Sequence, residues 1–213
     1  MSNGQKDKWL FASSIALVVI HLAGIIGIHS SYRDLFLVLS PLNLIVSISI
    51  LFLNHKTFTQ PFALFCVIVF AGGFLVEVIG VKTGIIFGNY TYGNTLGIQF
   101  LGVPIIIGIN WLMLIYCVGI ICNRFYNSSD LLKSMFGAIM MVFLDFFIEP
   151  VAIKYDFWSW TKIVIPFQNY IAWYILSFLF LMLFYSSKFS KENKLAPVLF
   201  IIQLIFFVTL ALF

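Results

Sequence analysis

Charge is scarce in this 213-residue chain: Asp, Glu, Lys and Arg together make up 9% of it, against roughly 25% in an ordinary soluble domain. With 62% of the residues apolar and 25 of them Phe, too little polar surface remains to face water, so a soluble fold is excluded and lipid must solvate most side chains. Cysteine is nearly absent. Cys66, Cys117 and Cys122 all lie in apolar runs without metal-ligand spacing to histidine, which excludes a disulfide framework and leaves three inert thiols. Histidine is equally rare: His21 and His29 stand eight apart and His55 falls in a loop, a pattern of packing residues rather than a metal site. No basic run interleaved with aromatics exists, so nucleic acid is excluded as a partner. The net charge of +4 sits in short loops and bears on orientation instead. No low-complexity segment or long linker divides the chain, so 1–213 reads as a single integral membrane domain.

What the chain has in abundance is apolar runs. Seven are long enough to cross a hydrocarbon core of about 30 Å, which takes roughly 20 helical residues: 9–28, 34–53, 61–81, 100–122, 131–149, 168–186 and 195–213. Barrel-like alternation is missing, so the expected fold class is all-α, a polytopic bundle of about seven transmembrane helices. The first run exceeds the apolar core of a signal peptide, about 7–15 residues, and is retained as a helix. Lys and Arg set the orientation. Lys6, Lys8, Lys56, Arg124, Lys133, Lys188, Lys191 and Lys194 lie on the amino-terminal side, against Arg33, Lys82, Lys154 and Lys162 opposite. The eight are expected to be cytoplasmic, which places the amino terminus inside and the longest loops, 82–99 and 150–167, on the outer face of the cell membrane.

Of the eight acidic residues, five fall in loops or tails; Glu77, Asp145 and Glu149 fall inside apolar helices, where a charge costs at least about 2.5 kcal/mol on insertion scales. Asp145 and Glu149, four apart, share a helix face. All three are expected within roughly 10 Å of the outer interface. Crowding of carboxyls in an apolar setting leaves at least one to carry a proton as a general acid. Helix-to-helix hydrogen bonding is the plainer role, and Asn110 on the fourth run suits it. The two outer loops carry the aromatic pairs Tyr90/Tyr92 and Trp158/Trp160. Such residues either form an interfacial belt or line a pocket and face a cation with their rings.

The chain also echoes itself. Glu77, Tyr90-Thr-Tyr92, Pro104 and Trp111 are matched in order by Glu149, Trp158-Ser-Trp160, Pro166 and Trp173, with seven residues from Pro to Trp in both copies. The other intervals differ, which leaves a parallel two-helix repeat and coincidence both open. Gly72, Gly73, Gly80, Gly84 and Gly88 read as close-packing or loop-bending positions. The stretch lacks the Gly-Lys-Ser/Thr ending of a phosphate loop.

The segment Glu77-Val-Ile-Gly80-Val-Lys-Thr83-Gly84-Ile-Ile-Phe87-Gly88-Asn-Tyr90-Thr-Tyr92, with Gly102-Val-Pro104 and Asn110-Trp111 after it, resembles the membrane carotenoid-biosynthesis proteins of the CruF hydratase type. So does Asp145-Phe-Phe-Ile-Glu149-Pro150-Val-Ala152, followed by Trp158-Ser-Trp160, Pro166 and Trp173. The resemblance covers about 70–185, the motif-bearing core. The chain departs from the family pattern at Glu149, where the pattern has aspartate, and at Ala172, where it has glycine. The resemblance implies hydration of a terminal carbon–carbon double bond in an acyclic carotenoid end group to a tertiary alcohol. Glu77, Asp145 and Glu149 would be catalytic, with Tyr90, Tyr92, Asn110, Trp111, Trp158 and Trp160 at the substrate. It implies a lipophilic carotenoid and the bilayer as partners, along with other enzymes of the same pathway.

The residues suit that chemistry on their own. Hydration of an isopropylidene end needs an acid, a surrounding that tolerates a tertiary cation, and a positioned water; it needs no metal, nucleotide or redox cofactor. A lycopene-cyclase-like enzyme begins with the same protonation and traps the cation with a neighbouring double bond, and a proton-coupled transporter would also bury acids. A retinal-binding protein would need a lysine in the last helix, and 195–213 contains none.

Overall fold

The computed structural model describes residues 3–125, 129–162 and 164–213. Among them the helices are α1 (Asn3–Ile28), α2 (Arg33–Val38), α3 (Ser40–Leu53), α4 (Gln60–Thr83), α5 (Ile106–Phe125), α6 (Asp130–Lys154), α7 (Phe167–Ser186) and α8 (Leu195–Leu212). Four short strands accompany them: β1 (Tyr90–Tyr92), β2 (Gln99–Phe100), β3 (Val103–Pro104) and β4 (Trp158–Trp160). Six helices are long and apolar enough to cross a membrane, so the all-α polytopic bundle is the observed class.

The second expected run, 34–53, is not one straight rod. Pro41 has no N–H to offer the carbonyl of Leu37, and the helix bends there into α2 and α3. Leu39 still donates to Leu35 and Asn43 to Leu39, at 3.1 and 3.0 Å, so the two pieces form a kinked helix of about 30 Å at 1.5 Å per residue. Its direction follows from its neighbours. A Cβ on Gly27 of α1 would meet the ring of Phe36, whereas Asn54, after α3, reaches back to Ser13 at 3.0 Å. Numbers rise on one helix as they fall on the other, so the kinked helix returns across the bundle. By the same reasoning α8 runs parallel to α1, because Gln203 meets His21 and Phe206 meets Gly24. It also runs parallel to α6, whose Lys154 reaches the carbonyl of Leu210.

Two further boundaries differ from the hydropathy reading. The fourth run opens as a hairpin, β2 paired with β3; Gly102 at φ +85 makes its turn, and the helix starts only at Ile106. The fifth run does not stop before Pro150: α6 continues through it to Lys154, because an apolar, well-packed helix tolerates one missing hydrogen bond. Glu149 therefore sits inside a helix and not at its end.

Helix α5 is the hub. Met113 to Val118, apart from traces, is inaccessible, while the other long helices keep an outward stripe of Leu, Ile and Phe. Helix α4 lies close against it at Gly73, where a Cβ would stand 2.7 Å from the Cβ of Trp111. It ends at Gly84, a left-handed cap with φ +66 where any side chain would also collide with Asn89. The chain is thus turned back over the ends of α4 and α6.

Candidate active site

The two aromatic triplets meet. β1 and β4 pair antiparallel, with Tyr90 opposite Trp160, Thr91 opposite Ser159 and Tyr92 opposite Trp158. Strand alternation then turns the four rings inward and leaves Thr91 and Ser159 exposed. Tyr90 rests against Trp160 with ring centroids 5.1 Å apart. This small sheet roofs the ends of α4 and α6, and each strand serves the acid of its own copy of the echo.

Glu77 Oε2 accepts from the hydroxyls of Tyr90 and, at 2.9 Å, Tyr92; its Oε1 accepts from Trp111 Nε1 at 3.1 Å. Glu149 Oε2 accepts from Trp160 Nε1 at 2.7 Å and Trp158 Nε1 at 3.2 Å. Its Oε1 accepts from Asn169 Nδ2 at 3.1 Å. The same Nδ2 donates to Asp145 Oδ2 at 2.9 Å, so one amide ties the two acids of α6. Burial, and secondarily the Glu77 carboxyl beside them, pushes the hydroxyls of Tyr90 and Tyr92 well above their ordinary range; both keep their protons and remain available as donors.

Glu77 and Glu149 line one chamber of about 30 Å³, together with Tyr90, Tyr92, Asn110, Trp111, Trp158 and Trp160. That volume admits about two or three waters, at about 10–15 Å³ of probe-sized space each. Trp111 stacks on Trp173 at 4.4 Å and 22°, which joins the last members of the two echoed series in one wall. Beside the chamber lies a cavity of about 290 Å³, almost wholly apolar, between α1, α3, α5, α6 and α8. Ile107, Asn110, Ile148 and Trp158 line both spaces.

Most of the residues singled out in the sequence thus come together, with one exception and one omission. Asp145 is fully buried but does not line the chamber; it stands behind Glu149, one helical turn away, and among the described residues no donor reaches its Oδ1. Asn169 went unnoticed. Like Asn110 it is an amide within an apolar helix, and it occupies the place three residues after Pro166 that Ile107 holds after Pro104.

The structure is thus a helical membrane bundle with two carboxyls under an aromatic roof, next to an apolar compartment. The chain belongs to the carotenoid biosynthesis protein family, whose match extends over residues 35–213 and includes every site residue named above. It is similar to the bisanhydrobacterioruberin hydratase of Haloarcula japonica, 28% identical over 122 residues, which cover 51% of this chain and 40% of that protein. No solved structure matches.

Proposed function

We propose that the chain adds water to the terminal double bond of an acyclic carotenoid end group, giving a tertiary alcohol, as a multi-pass enzyme of the cell membrane. One observation carries this reading: the chamber's two carboxyls have partners of opposite chemistry. Indole N–H groups only donate, and so does the amide nitrogen of Asn169, so the three partners of Glu149 suit a carboxylate. Two of the partners of Glu77 are hydroxyls, which also accept, so Glu77 can hold a proton on Oε2 and share it with them. Acid and base are thereby told apart.

With the end group in the apolar cavity and its double bond at the chamber, the Glu77 carboxyl protonates the less substituted alkene carbon. The tertiary cation forms among the faces of Trp111, Trp158 and Trp160, near the Glu149 carboxylate. A water in the chamber attacks the cation, and Glu149 takes its proton. Return of that proton to Glu77 through the shared chamber restores the site, with no net change beyond one water added to one double bond. Asp145 and Asn169 act through Glu149 by holding its orientation.

The similarity to a hydratase supports this outcome over cyclisation, as does a chamber with room for water beside the acids. Expression in a host that accumulates an acyclic carotene, with chromatography and mass detection of the pigments, tests it. Hydration raises the pigment mass by one water at each reacted end. Isomers of unchanged mass carrying cyclic ends would overturn the reading in favour of a cyclase, and an unaltered pigment at confirmed membrane abundance would overturn both.

A further inference from the structure

The four residues shared by the acid chamber and the apolar cavity mark the boundary between water and polyene, and they gather on the Glu149 side of the chamber. Ile148 precedes Glu149 on α6, Trp158 donates its indole N–H to Glu149 Oε2, and Ile107 and Asn110 stand about one turn apart on α5. Two of the four are aliphatic, and the N–H of the third is already given to Glu149. Asn110 therefore brings the uncommitted polar group to this boundary. It is half-buried, and among the described residues its side-chain amide has no hydrogen-bond partner. The hydroxyls of Tyr90 and Tyr92 and the N–H of Trp111, by contrast, are held by Glu77.

Glu149 has room for one partner more. An ionised carboxylate offers about four acceptor positions; two indoles occupy Oε2 and the Asn169 amide takes one position on Oε1, which leaves one on Oε1. A water that donates one hydrogen there and the other to the Asn110 carbonyl oxygen keeps both lone pairs free to attack. The Asn110 amide can turn its oxygen to that water because no protein group holds it.

We infer that Asn110 positions the attacking water, as the second acceptor beside Glu149, and so decides whether the cation is trapped as an alcohol or collapses back to an alkene. The inference rests on the hydration reading above. Protonation by Glu77 forms a C–H bond and leaves the tertiary cation. The water oxygen then forms the C–O bond, one of its protons passes to Glu149, and the other stays on the product hydroxyl beside Asn110. Without a placed water, the cation loses a proton from an adjoining carbon to the Glu77 carboxylate and is an alkene again.

The two fates are separated by running the reaction in D2O, with an acyclic carotene and purified protein in lipid nanodiscs. Glu77 then delivers deuterium, so a trapped cation appears as a deuterated alcohol and an untrapped one as a carotene that carries deuterium but no added oxygen; mass detection gives both initial rates. Asn110→Leu should lower the ratio of alcohol to deuterated carotene at least about tenfold, the worth of one neutral hydrogen bond, while deuterium continues to enter the carotene. Asn110→Asp keeps an acceptor oxygen at the same place and should hold the ratio near that of wild type. Asn110→Ala replaces the leucine variant if that one does not fold, with the same fall expected. If Asn110 only packs α5 or seats the end group, both rates drop together and the ratio stays constant, which overturns its role in an enzyme that still hydrates. A folded wild type that yields neither alcohol nor deuterated carotene would overturn the hydration reading itself, and the placed water with it.

Discussion

Changing Glu149 to glutamine alters almost no volume, yet it should destabilise the protein, whereas the same change at Glu77 should not. Every hydrogen bond received by Glu149 comes from an N–H: Trp158 and Trp160 at Oε2, Asn169 at Oε1. If the new amide nitrogen takes the Oε2 place, it faces two indole donors that cannot turn round. If it takes the Oε1 place, Asn169 can present its oxygen only by withdrawing its hydrogen from Asp145, whose other oxygen already lacks a donor. Each arrangement strands a buried polar group, at about 1–3 kcal/mol. For a chain of this size that corresponds to a loss of roughly 2–12 °C in melting temperature. Glu77→Gln escapes the penalty, since its amide nitrogen can take the Oε2 place and the hydroxyls of Tyr90 and Tyr92 can rotate to accept, while Trp111 keeps its acceptor. Tryptophan emission during heating, on protein purified in nanodiscs, measures both variants. Equal melting temperatures for Glu77→Gln and Glu149→Gln would refute the donor–acceptor assignment on which the division into acid and base depends.

Activity should divide differently from stability. Glu77→Gln should lower pigment conversion about a hundred- to ten-thousand-fold, the usual range for a lost general acid, and adding Asp145→Asn should change little more. Asp145→Asn alone should stay within about tenfold of wild type, because Asp145 does not line the chamber and general acid catalysis needs hydrogen-bond reach; a loss as severe as that of Glu77→Gln would make Asp145 the donor. Gly73→Ala should displace Trp111, since the new methyl would sit 2.7 Å from its Cβ. Overpacking of this kind costs about 1–3 kcal/mol, and a melting temperature identical to wild type would count against so tight a fit. Cysteines placed at Asn94 and Lys162 should react with impermeant maleimide from the non-cytoplasmic side; labelling of both only from the cytoplasm would invert the orientation drawn from the eight-to-four Lys/Arg division.

The membrane class, the helical architecture and the alternation of its passes were legible in the sequence, because hydropathy is a local property and each run of 20 apolar residues declares itself separately. So were Glu77, Asp145 and Glu149, since a carboxyl in lipid stands out whatever surrounds it. The kink at Pro41 and the continuation of α6 through Pro150 were not separable by sequence: the same missing N–H bends one helix and is absorbed in the other, and neighbouring packing decides which. Tertiary structure alone decided the site. That Tyr-Thr-Tyr pairs with Trp-Ser-Trp, 68 residues away, depends on α4 and α6 bringing Glu77 and Glu149 to one chamber at the same end of the bundle. The roof, the tie of Glu149 to Asp145 through Asn169, and the cavity between α1, α3 and α8 follow from the packing of the helices, because a donor's partner is set by which helices adjoin and not by the intervals between residues along the chain.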